Sequence, residues 1–551
     1  MTNKLFLTLF IVIGLLSCTK PEQSESPKLV VGIVVDQMRY DYLTRYWDDF
    51  GLNGFKRFYQ DGFVSHNHHF NYYQTLTGPG HASIATGTTP SIHGIIGNDW
   101  YDRDLGHNVY CVDDDSVQGL GSLTSKGQKS PHRLITTTFA DQVRLHSQFR
   151  NKVIGVSLKD RSAILSTGHS ANAAYWYAGN DEGVFTTSTH YMDTLPKWAA
   201  DYNAKKYAHQ FASSVWNTLR PIETYTASGP DNSPYEGIFV GADTPTFPYD
   251  LANLQPDYHK DKGLDIIKNT PFGNTMITDF SLLALENEGL GQGSETDILM
   301  VSYSSTDHVG HQFGLTSVEI QDTYLRLDKE LERLFAHLEK NIGMENITLF
   351  LTSDHGAVHV PNYLKDNNFA AGHSKSDGIQ DGVNVALYAM TGVKNLVAHI
   401  INDQMYLDHD LIAKYNLSLV KLVAKASEVI LDFPTIENVF ATADLPLLSP
   451  SEKLHNLILR GNNKKRAGDL YLLPKPGYID YGSTGTTHGS GFSYDTHAPL
   501  LMMGHGIRKG QTYTETSITD IAPTICALLG TAFPNGMTGN IIEEALLKAD
   551  K

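Results

Sequence analysis

The chain has 551 residues, of which 41% are hydrophobic and 19% are charged, a composition typical of soluble globular proteins. Its 60 Asp and Glu residues outnumber its 43 Lys and Arg residues, and the formal net charge is -17. We expect no nucleic-acid partner, because binding to a phosphate backbone needs a basic face. The length fits one large α/β unit with insertions as well as it fits several smaller domains.

The first residues are typical of a bacterial secretion signal. Lys4 precedes an apolar run from Leu5 to Leu16, which is too short to span a bilayer and is followed by Ser17 and Cys18. We assign residues 1–17 to a signal peptide of the lipoprotein type, and residues 18–28, which are polar and proline-containing, to a tether. We therefore expect a periplasmic protein whose only membrane contact is a lipid on Cys18. A plain cleaved signal with an incidental cysteine is the alternative.

Several short apolar runs predict the strands of a mostly parallel sheet. Strands of this kind are buried on both faces when helices cover the sheet, which predicts a three-layer α/β/α sandwich. In open α/β sheets the chemistry lies beyond the carboxyl ends of the strands, and polar residues follow most of these runs. The predicted strands are Leu29–Val35, Val153–Leu158, Asp297–Tyr303, Ile347–Thr352 and His497–Met503.

Helical periodicity fills the intervals between these strands, at residues 134–145, 276–288, 317–340 and 419–430. Residues 174–268 and 396–480 fit the alternation of strand and helix poorly. We interpret them as cap insertions in a catalytic domain that covers residues 29–551. Cys111 and Cys526 are expected to be free thiols, with one disulfide between them as the alternative.

Six side chains near predicted strand ends are candidate metal ligands. Asp307 and His311 are four residues apart, so both lie on one face of a helical turn. Each candidate alone is better explained as a capping carboxylate or a hydrogen-bonded histidine. Together, however, they supply three nitrogen or oxygen ligands for each of two catalytic zinc ions, with coordination positions left open. The six are Asp36, Asp307, His311, Asp354, His355 and His488.

Thr77 opens the segment TGPGHAS, in which two glycines and a proline predict a sharp turn before a helix start at Ala82–Thr86. A helix N-terminus favours negative charge, and a metal ion can turn a hydroxyl into an effective nucleophile. Taken alone, Thr77 would be interpreted as an ordinary helix cap.

These motifs together resemble the alkaline phosphatase superfamily, and most closely its PafA-type, phosphate-irrepressible alkaline phosphatases. The resemblance extends in order from residue 34 to residue 530, and the TGPGHAS segment combined with the two Asp/His segments is highly specific. The matching segments are VVDQMRYDYL, TLTGPGHASIATGTTPSIHGIIGNDWYD, LKDRSAI, SSTDHVGHQFG, TSDHGA, GTTHGS, THAPLLMMG and TDIAPTICALLG.

The resemblance implies a role for each candidate. Thr77 becomes the nucleophile of a double displacement that passes through a phosphothreonine. Asn98, Lys159 and Arg161 contact the phosphoryl oxygens, and we expect a monomer that hydrolyses small phosphate monoesters, as in periplasmic phosphate scavenging. One Zn2+ is implied at Asp307, His311 and His488, and a second at Asp36, Asp354 and His355 with Thr77 as its remaining ligand.

Lys159 and Arg161 also bear on the rival functions. Two fixed positive charges suit a monoester dianion, whereas a nucleotide pyrophosphatase/phosphodiesterase of the same superfamily acts on a monoanion. A sulfatase would need a different nucleophile motif, and the related phosphoglycerate mutases are cytoplasmic. A lipid-anchored phosphate- or metal-binding protein without catalysis is the non-enzyme alternative. His66, His68, His69, His81 and His93 are interpreted as structural.

Overall fold

The computed structural model describes residues 26–180 and 182–547. The predicted signal peptide, Cys18 and most of the predicted tether lie outside these residues. Among the described residues, no helix has both the length and the apolar character needed to cross a membrane. Cys111 and Cys526 are both buried free thiols, as expected.

A central sheet organises the fold. In the described part of the chain it has eleven strands, which we number in chain order. They are β1 Leu29–Val35, β2 Phe63–His69, β3 Gly119–Leu120, β4 Val153–Ser157, β5 Ala173–Ala178, β6 Val184–Ser188, β7 Asp297–Tyr303, β8 Ile347–Thr352, β9 His497–Gly504, β10 Gly510–Thr512 and β11 Thr516–Ser517.

The strand order is β10-β2-β9-β8-β1-β7-β4-β5-β6-β3, with β11 paired to β2. The five central strands β8, β1, β7, β4 and β5 are parallel, and β9 is antiparallel to β8. In the register of this parallel block, Val35 lies beside Tyr303, and Val34 beside Thr352. The carboxyl ends of β1, β7 and β8 are therefore level, and the residues that follow them meet at one edge.

Alternate residues of β1 face two different cores. Leu29, Val31 and Ile33 belong to a cluster on one face of the sheet, and Val30 and Val34 to a cluster on the other. This two-sided burial explains why the strand is uniformly apolar, and the predicted α/β/α class is confirmed. Helices Phe272–Glu288 and Val318–Asn341 contribute to the first cluster, and helices Thr77–Thr86, Phe139–His146 and Ile521–Leu529 to the second.

The first cap insertion was predicted to begin too early. Residues 174–188 contain most of β5 and all of β6, so they belong to the central sheet. Residues 189–268 form short elements, including helices Lys197–Ala204, Tyr207–Ala212 and Leu251–Asp261. Buried side chains of this segment, such as Tyr202 and Trp216, join the same cluster as β1. The segment therefore packs against the sheet domain, and aromatic clusters in the sequence obscured this continuity.

Residues 376–474 form what we call the auxiliary lobe, which begins earlier than the predicted residue 396. Helix Ser376–Thr391 buries Ile379, Val383 and Leu387 in the core of this lobe. The lobe contains an antiparallel four-stranded sheet in the order Val397–Ile401, Gln404–Leu407, Leu470–Pro474 and Ile436–Ala441. Its other helices are His409–Lys414, Leu419–Leu431 and Lys453–Gly461.

Candidate metal and phosphoryl-transfer site

Three buried carboxylates meet at the level edge of the parallel block. Asp36 directly follows β1, Asp307 lies in helix Ser305–Phe313 after β7, and Asp354 lies two residues after β8. Their exposed fractions are 0%, 2% and 0%. Three carboxylates in a dry site repel one another strongly unless cations lie among them.

Thr77 begins helix Thr77–Thr86, so the helix starts five residues before the predicted position at Ala82. Pro79 does not prevent this start, because the first-turn amides of a helix have no partner within the helix. Gly80 permits a close approach, since a Cβ atom there would lie 2.3 Å from the carbonyl oxygen of Asp354. The helix therefore brings the Thr77 hydroxyl next to the carboxylates.

Replacing Gly80 by alanine is expected to destabilise the protein by about 1–3 kcal/mol, because the methyl group would overlap the Asp354 backbone. The activity that the resemblance implies is expected to fall as well, since the helix start and the Asp354 turn would move apart. Urea unfolding and p-nitrophenyl phosphate turnover measure the two effects. Gly378→Ala is the control, because nothing lies within 4 Å of the atom it adds. Unchanged stability and turnover in Gly80→Ala would contradict this explanation.

The three candidate histidines are held by backbone carbonyl groups. The Nδ1 atoms of His311, His488 and His355 donate to the carbonyl oxygens of Thr486 at 2.7 Å, Thr75 at 2.8 Å and Gly356 at 3.0 Å. Because a carbonyl only accepts, each ring is protonated at Nδ1 and directs its Nε2 into the site. Metal-binding histidines in proteins are oriented in this way.

The Nε2 atoms point at the carboxylates. His311 lies 3.1 Å and His488 3.6 Å from Asp307 Oδ1, and His355 lies 3.4 Å from Asp36 Oδ1. Burial lowers the pKa of His488 to about 3 and that of His355 well below its ordinary range. Both rings are therefore neutral, which is the form that binds metal ions.

Two groups of side chains in the described part of the chain have ligand atoms within 4.8 Å of one another. The first group matches the first predicted set. The second group contains Asp307, whereas the predicted set contains Asp354. Asp307 therefore lies between the two candidate metal positions. Asp354 is nevertheless adjacent, with its Oδ2 3.5 Å from His355 Nε2. The groups are Asp307, His311 and His488, and Asp36, Asp307 and His355.

The polar atoms of this cluster fit bound cations. Asp36 Oδ1 and Asp354 Oδ2 are buried without a hydrogen-bond partner among the described residues. Desolvation raises the pKa of Asp36 to about 6, with Lys159 opposing the shift. Desolvation and the charge of Asp36 raise the pKa of Asp354 well above its ordinary range. Desolvation acts on Asp307 in the same direction, but His311 and Lys159 outweigh it and hold its pKa well below that range. Metal ions at these oxygens would compete with protons.

Lys159 lies at the centre of the site and is only 6% exposed. Its Nζ is 2.6 Å from both Asp36 Oδ2 and Asp307 Oδ2, and 3.4 Å from Thr77 Oγ1. Arg161 Nη2 is also 3.4 Å from Thr77 Oγ1. Lys159 and Arg161, which the resemblance assigns to phosphoryl oxygens, thus both lie beside the Thr77 hydroxyl.

Asn98 lies against the start of the Thr77 helix. Its Oδ1 accepts the Gly78 amide proton at 2.8 Å, which identifies this side-chain atom as oxygen and turns the NH2 group away from Gly78. All ten residues expected at the site lie near one sheet edge. His355, Lys159 and Arg161 contact Thr77. Lys159, His311 and His488 contact Asp307.

Three residues make contacts in the site that were not predicted from the sequence. Gln37 donates from Nε2 to Asp307 Oδ1 at 2.8 Å and from its backbone N–H to Asp354 Oδ1 at 3.2 Å. The hydroxyl oxygen of Tyr110 accepts a hydrogen bond from Arg161 Nη1 at 2.9 Å and so orients the guanidinium. His81 Nδ1 lies 3.4 Å from Asp354 Oδ2, although we expected only a structural role for it. The position of Gln37 directly after Asp36 was the only available signal.

The remaining histidines interpreted as structural contact polar neighbours away from this site. His93 pairs with Ser83 Oγ at 2.9 Å, His68 with Thr516 Oγ1 at 2.8 Å, His66 with Tyr40 Oη at 2.5 Å, and His69 with Asn67 Oδ1 at 3.0 Å. None of the four belongs to a metal-ligand group in the described residues.

An α/β/α fold with paired Asp/His ligand groups and a hydroxyl at a helix N-terminus defines a metal-dependent hydrolase of phosphoryl compounds. The model of the type I phosphodiesterase / nucleotide pyrophosphatase family matches residues 30–498, and the chain belongs to this family, within the alkaline phosphatase superfamily.

Similarity to individual proteins extends over nearly the whole chain. Alkaline phosphatase PafA of Elizabethkingia meningoseptica is 42% identical over 99% of both chains. A protein of Myroides odoratus that is named calcium-transporting ATPase is 44% identical over 95% of this chain and 96% of its own. The crystal structure of PafA has a TM-score of 0.91 at 42% identity and covers 95% of this chain and 99% of its own. The chain is therefore an enzyme of the alkaline phosphatase type.

Proposed function

We propose that the protein hydrolyses phosphate monoesters by double displacement, with Thr77 as the nucleophile. The observation that carries this proposal is the environment of Thr77 Oγ1. Thr77 Oγ1 lies 3.4 Å from each of His355 Nε2, Lys159 Nζ and Arg161 Nη2. A hydroxyl placed between a metal ligand and two cations is positioned to lose its proton and to meet an anionic phosphoryl group.

The ligand set fits two zinc ions, since its mixed imidazole and carboxylate donors suit Zn2+. One ion would be held by Asp307, His311 and His488, and the other by Asp36, Asp354, His355 and Thr77. When bound, such ions supply positive charge that lowers the pKa of a hydroxyl or water and stabilises a departing oxygen.

The chain's own groups perform the remaining steps. Thr77 Oγ1 attacks phosphorus, the bond to the alcohol oxygen breaks, and the alcohol leaves with a proton. Water then attacks the phosphothreonine, restores the Thr77 hydroxyl and releases inorganic phosphate. Asn98, Lys159 and Arg161 bind the non-bridging oxygens, and the N-terminal end of helix Thr77–Thr86 adds a favourable dipole.

A phosphodiesterase is the second candidate, since the family description names that activity. Lys159 and Arg161 favour the monoesterase, because they add two positive charges next to Thr77 and match a dianion better than a monoanion. The similarity to alkaline phosphatases over nearly the whole chain overturns the non-enzyme alternative, a phosphate- or metal-binding protein without catalysis.

Cellular placement is part of the same proposal. Residues 1–17 direct secretion, a lipid on Cys18 anchors the protein on the periplasmic side, and residues 18–28 tether a monomeric enzyme that scavenges phosphate. Labelling with a radioactive fatty acid tests the anchor. Incorporation into the natural chain but not into a Cys18→Ala variant supports it, and equal incorporation in both contradicts it.

Removal of the metal is expected to abolish turnover. Dialysis against a strong chelator should stop p-nitrophenyl phosphate hydrolysis, and added zinc should restore it. Elemental analysis of the restored enzyme should find two zinc ions per chain, with a lower content in His311→Ala. His93→Ala is the control, because His93 pairs with Ser83 away from the ligand groups. Full activity in metal-free protein would refute the metal assignment.

A further inference from the structure

A cavity of about 260 Å³ lies between the metal site and the auxiliary lobe. Leu76 and His488 line one side of it, directly beside Thr77 and the first ligand group. Asn402, Asp403 and Ile436 of the auxiliary lobe line the other side. The mechanism described above uses no residue of the lobe.

The lobe side of this cavity is fixed in place at Asn402 and Asp403. These residues form the two-residue turn between strands Val397–Ile401 and Gln404–Leu407, and their φ angles are 52° and 58°. Asn402 Nδ2 donates to the carbonyl oxygen of Asp99 at 2.7 Å, next to Asn98. Positive φ at both central positions is the geometry of a two-residue hairpin turn, and Asn and Asp adopt it readily. The turn therefore presents Asp403 at a defined position beside the reaction site.

Asp403 and Asp495 are carboxylates of the cavity wall, of which Asp403 is half-buried and Asp495 is buried. Asp495 is 1% exposed, and its Oδ2 accepts from Gly489 N, Ser490 N and Ser490 Oγ, whereas its Oδ1 has no hydrogen-bond partner among the described residues. Neither Asp403 nor Asp495 forms an ion pair with any residue in the described ranges. Burial, together with Asp480 and Asp495, raises the pKa of Asp403 to about 7, so this carboxylate is ionised under alkaline conditions.

Asp480 also lines the cavity but differs in its partners. Its carboxylate accepts from Ser376 N at 3.0 Å and lies 3.3 Å from Lys375 Nζ, and its side chain is 46% exposed. Its charge is therefore balanced by neighbours and by solvent. Neither Asp403 nor Asp495 has a basic partner in the described ranges. The buried Asp495 Oδ1 in particular is costly to ionise unless a cation lies beside it.

The cavity borders the site of the displacement. Thr77 Oγ1 contacts His355 of the second ligand group, and the ring of His488, a member of the first group, stacks on His355 and lines the cavity. A short alcohol fits within this volume of about 260 Å³.

We propose that this cavity is the leaving-group subsite, and that Asp403 and Asp495 select phosphate monoesters whose alcohol carries a primary ammonium group. The proposal rests on the monoesterase function proposed above. It deepens that function by naming the substrate class: short amino-alcohol phosphates. The ammonium replaces the missing cation, and the apolar wall contacts the methylene groups.

The test compares two substrates of equal size, phosphoethanolamine and n-propyl phosphate, by measuring phosphate release. In Asp403→Asn we expect kcat/KM for phosphoethanolamine to fall at least about tenfold, because an ion pair loses one partner in a poorly solvated site. For n-propyl phosphate we expect a change within about twofold. Asparagine tolerates positive φ well, so the turn should be preserved. Asp480→Asn is the matched control, with little change expected for either substrate.

The outcomes separate the subsite from the reaction itself. A selective loss on phosphoethanolamine in Asp403→Asn, absent from Asp480→Asn, supports the proposal. Equal losses on both substrates, or no loss on either, overturn the subsite while leaving the monoesterase function intact. Absence of turnover by the unaltered enzyme on n-propyl phosphate and p-nitrophenyl phosphate alike would instead refute the monoesterase function.

Discussion

Replacing Lys159 and Arg161 together by alanine is expected to lower kcat/KM for p-nitrophenyl phosphate by about a thousandfold or more. Each side chain lies 3.4 Å from Thr77 Oγ1, where it can neutralise one charge of a phosphoryl dianion. Removing a single preorganised donor from such a site typically costs about a hundredfold to a thousandfold. A diester carries one negative charge fewer, so we expect a much smaller loss on bis-p-nitrophenyl phosphate. The measurement is the ratio of the two kcat/KM values.

Lys159 has a second role that the experiment must separate. Its ammonium lies 2.6 Å from Asp36 and Asp307, so its loss can alter metal affinity and slow both substrates. Assays at saturating zinc, with metal content measured for each variant, remove this common effect. Arg161→Ala alone is the cleaner probe, because Arg161 forms no ion pair with the ligand carboxylates in the described residues. Lys197→Ala, whose side chain is 87% exposed, is the control. Equal losses on monoester and diester would defeat the charge argument.

The central part of the fold was predictable because its strands are buried on both faces. Strands β1, β7 and β8 have the predicted bounds, and every residue in them is buried. These largely apolar runs end at polar residues, which leaves little choice of where each strand stops. Once the strands were known, the level carboxyl ends of a parallel sheet implied that Asp36, Asp307 and Asp354 meet.

Features that depend on close packing were not predictable. The helix start at Thr77 instead of Ala82 depends on how Gly80 fits against the Asp354 backbone, and no local pattern encodes that contact. The contacts of Gln37 and Tyr110 likewise arise between residues far apart in sequence. The true start of the auxiliary lobe was missed because helix Ser376–Thr391 has the same periodicity as the helices that cover the sheet. The sequence predicted which residues are candidate metal ligands better than how these residues group together, since Asp307 belongs to both groups of ligand atoms.

Two substitutions of Thr77 separate its chemistry from its contacts. Thr77→Ser keeps a hydroxyl at the start of helix Thr77–Thr86, so we expect this variant to retain a covalent phosphoenzyme and part of the turnover. The neighbours His355, Lys159 and Arg161 remain in place in both variants. Differences between Thr77→Ser and Thr77→Ala therefore report on the hydroxyl oxygen.

Thr77→Ala is expected to abolish the phosphoenzyme and to reduce kcat/KM for p-nitrophenyl phosphate by at least about a thousandfold, because no other hydroxyl is held 3.4 Å from both Lys159 and Arg161 in the described residues. Acid quenching during turnover with labelled substrate, followed by peptide mass analysis, locates the phosphate. Label should appear on residue 77 of the natural enzyme and of Thr77→Ser, and nowhere in Thr77→Ala. Phosphate trapped on another residue would show that the Thr77 hydroxyl is not the nucleophile. Residual turnover without any label would then be assigned to direct attack by water, which the remaining cations still assist.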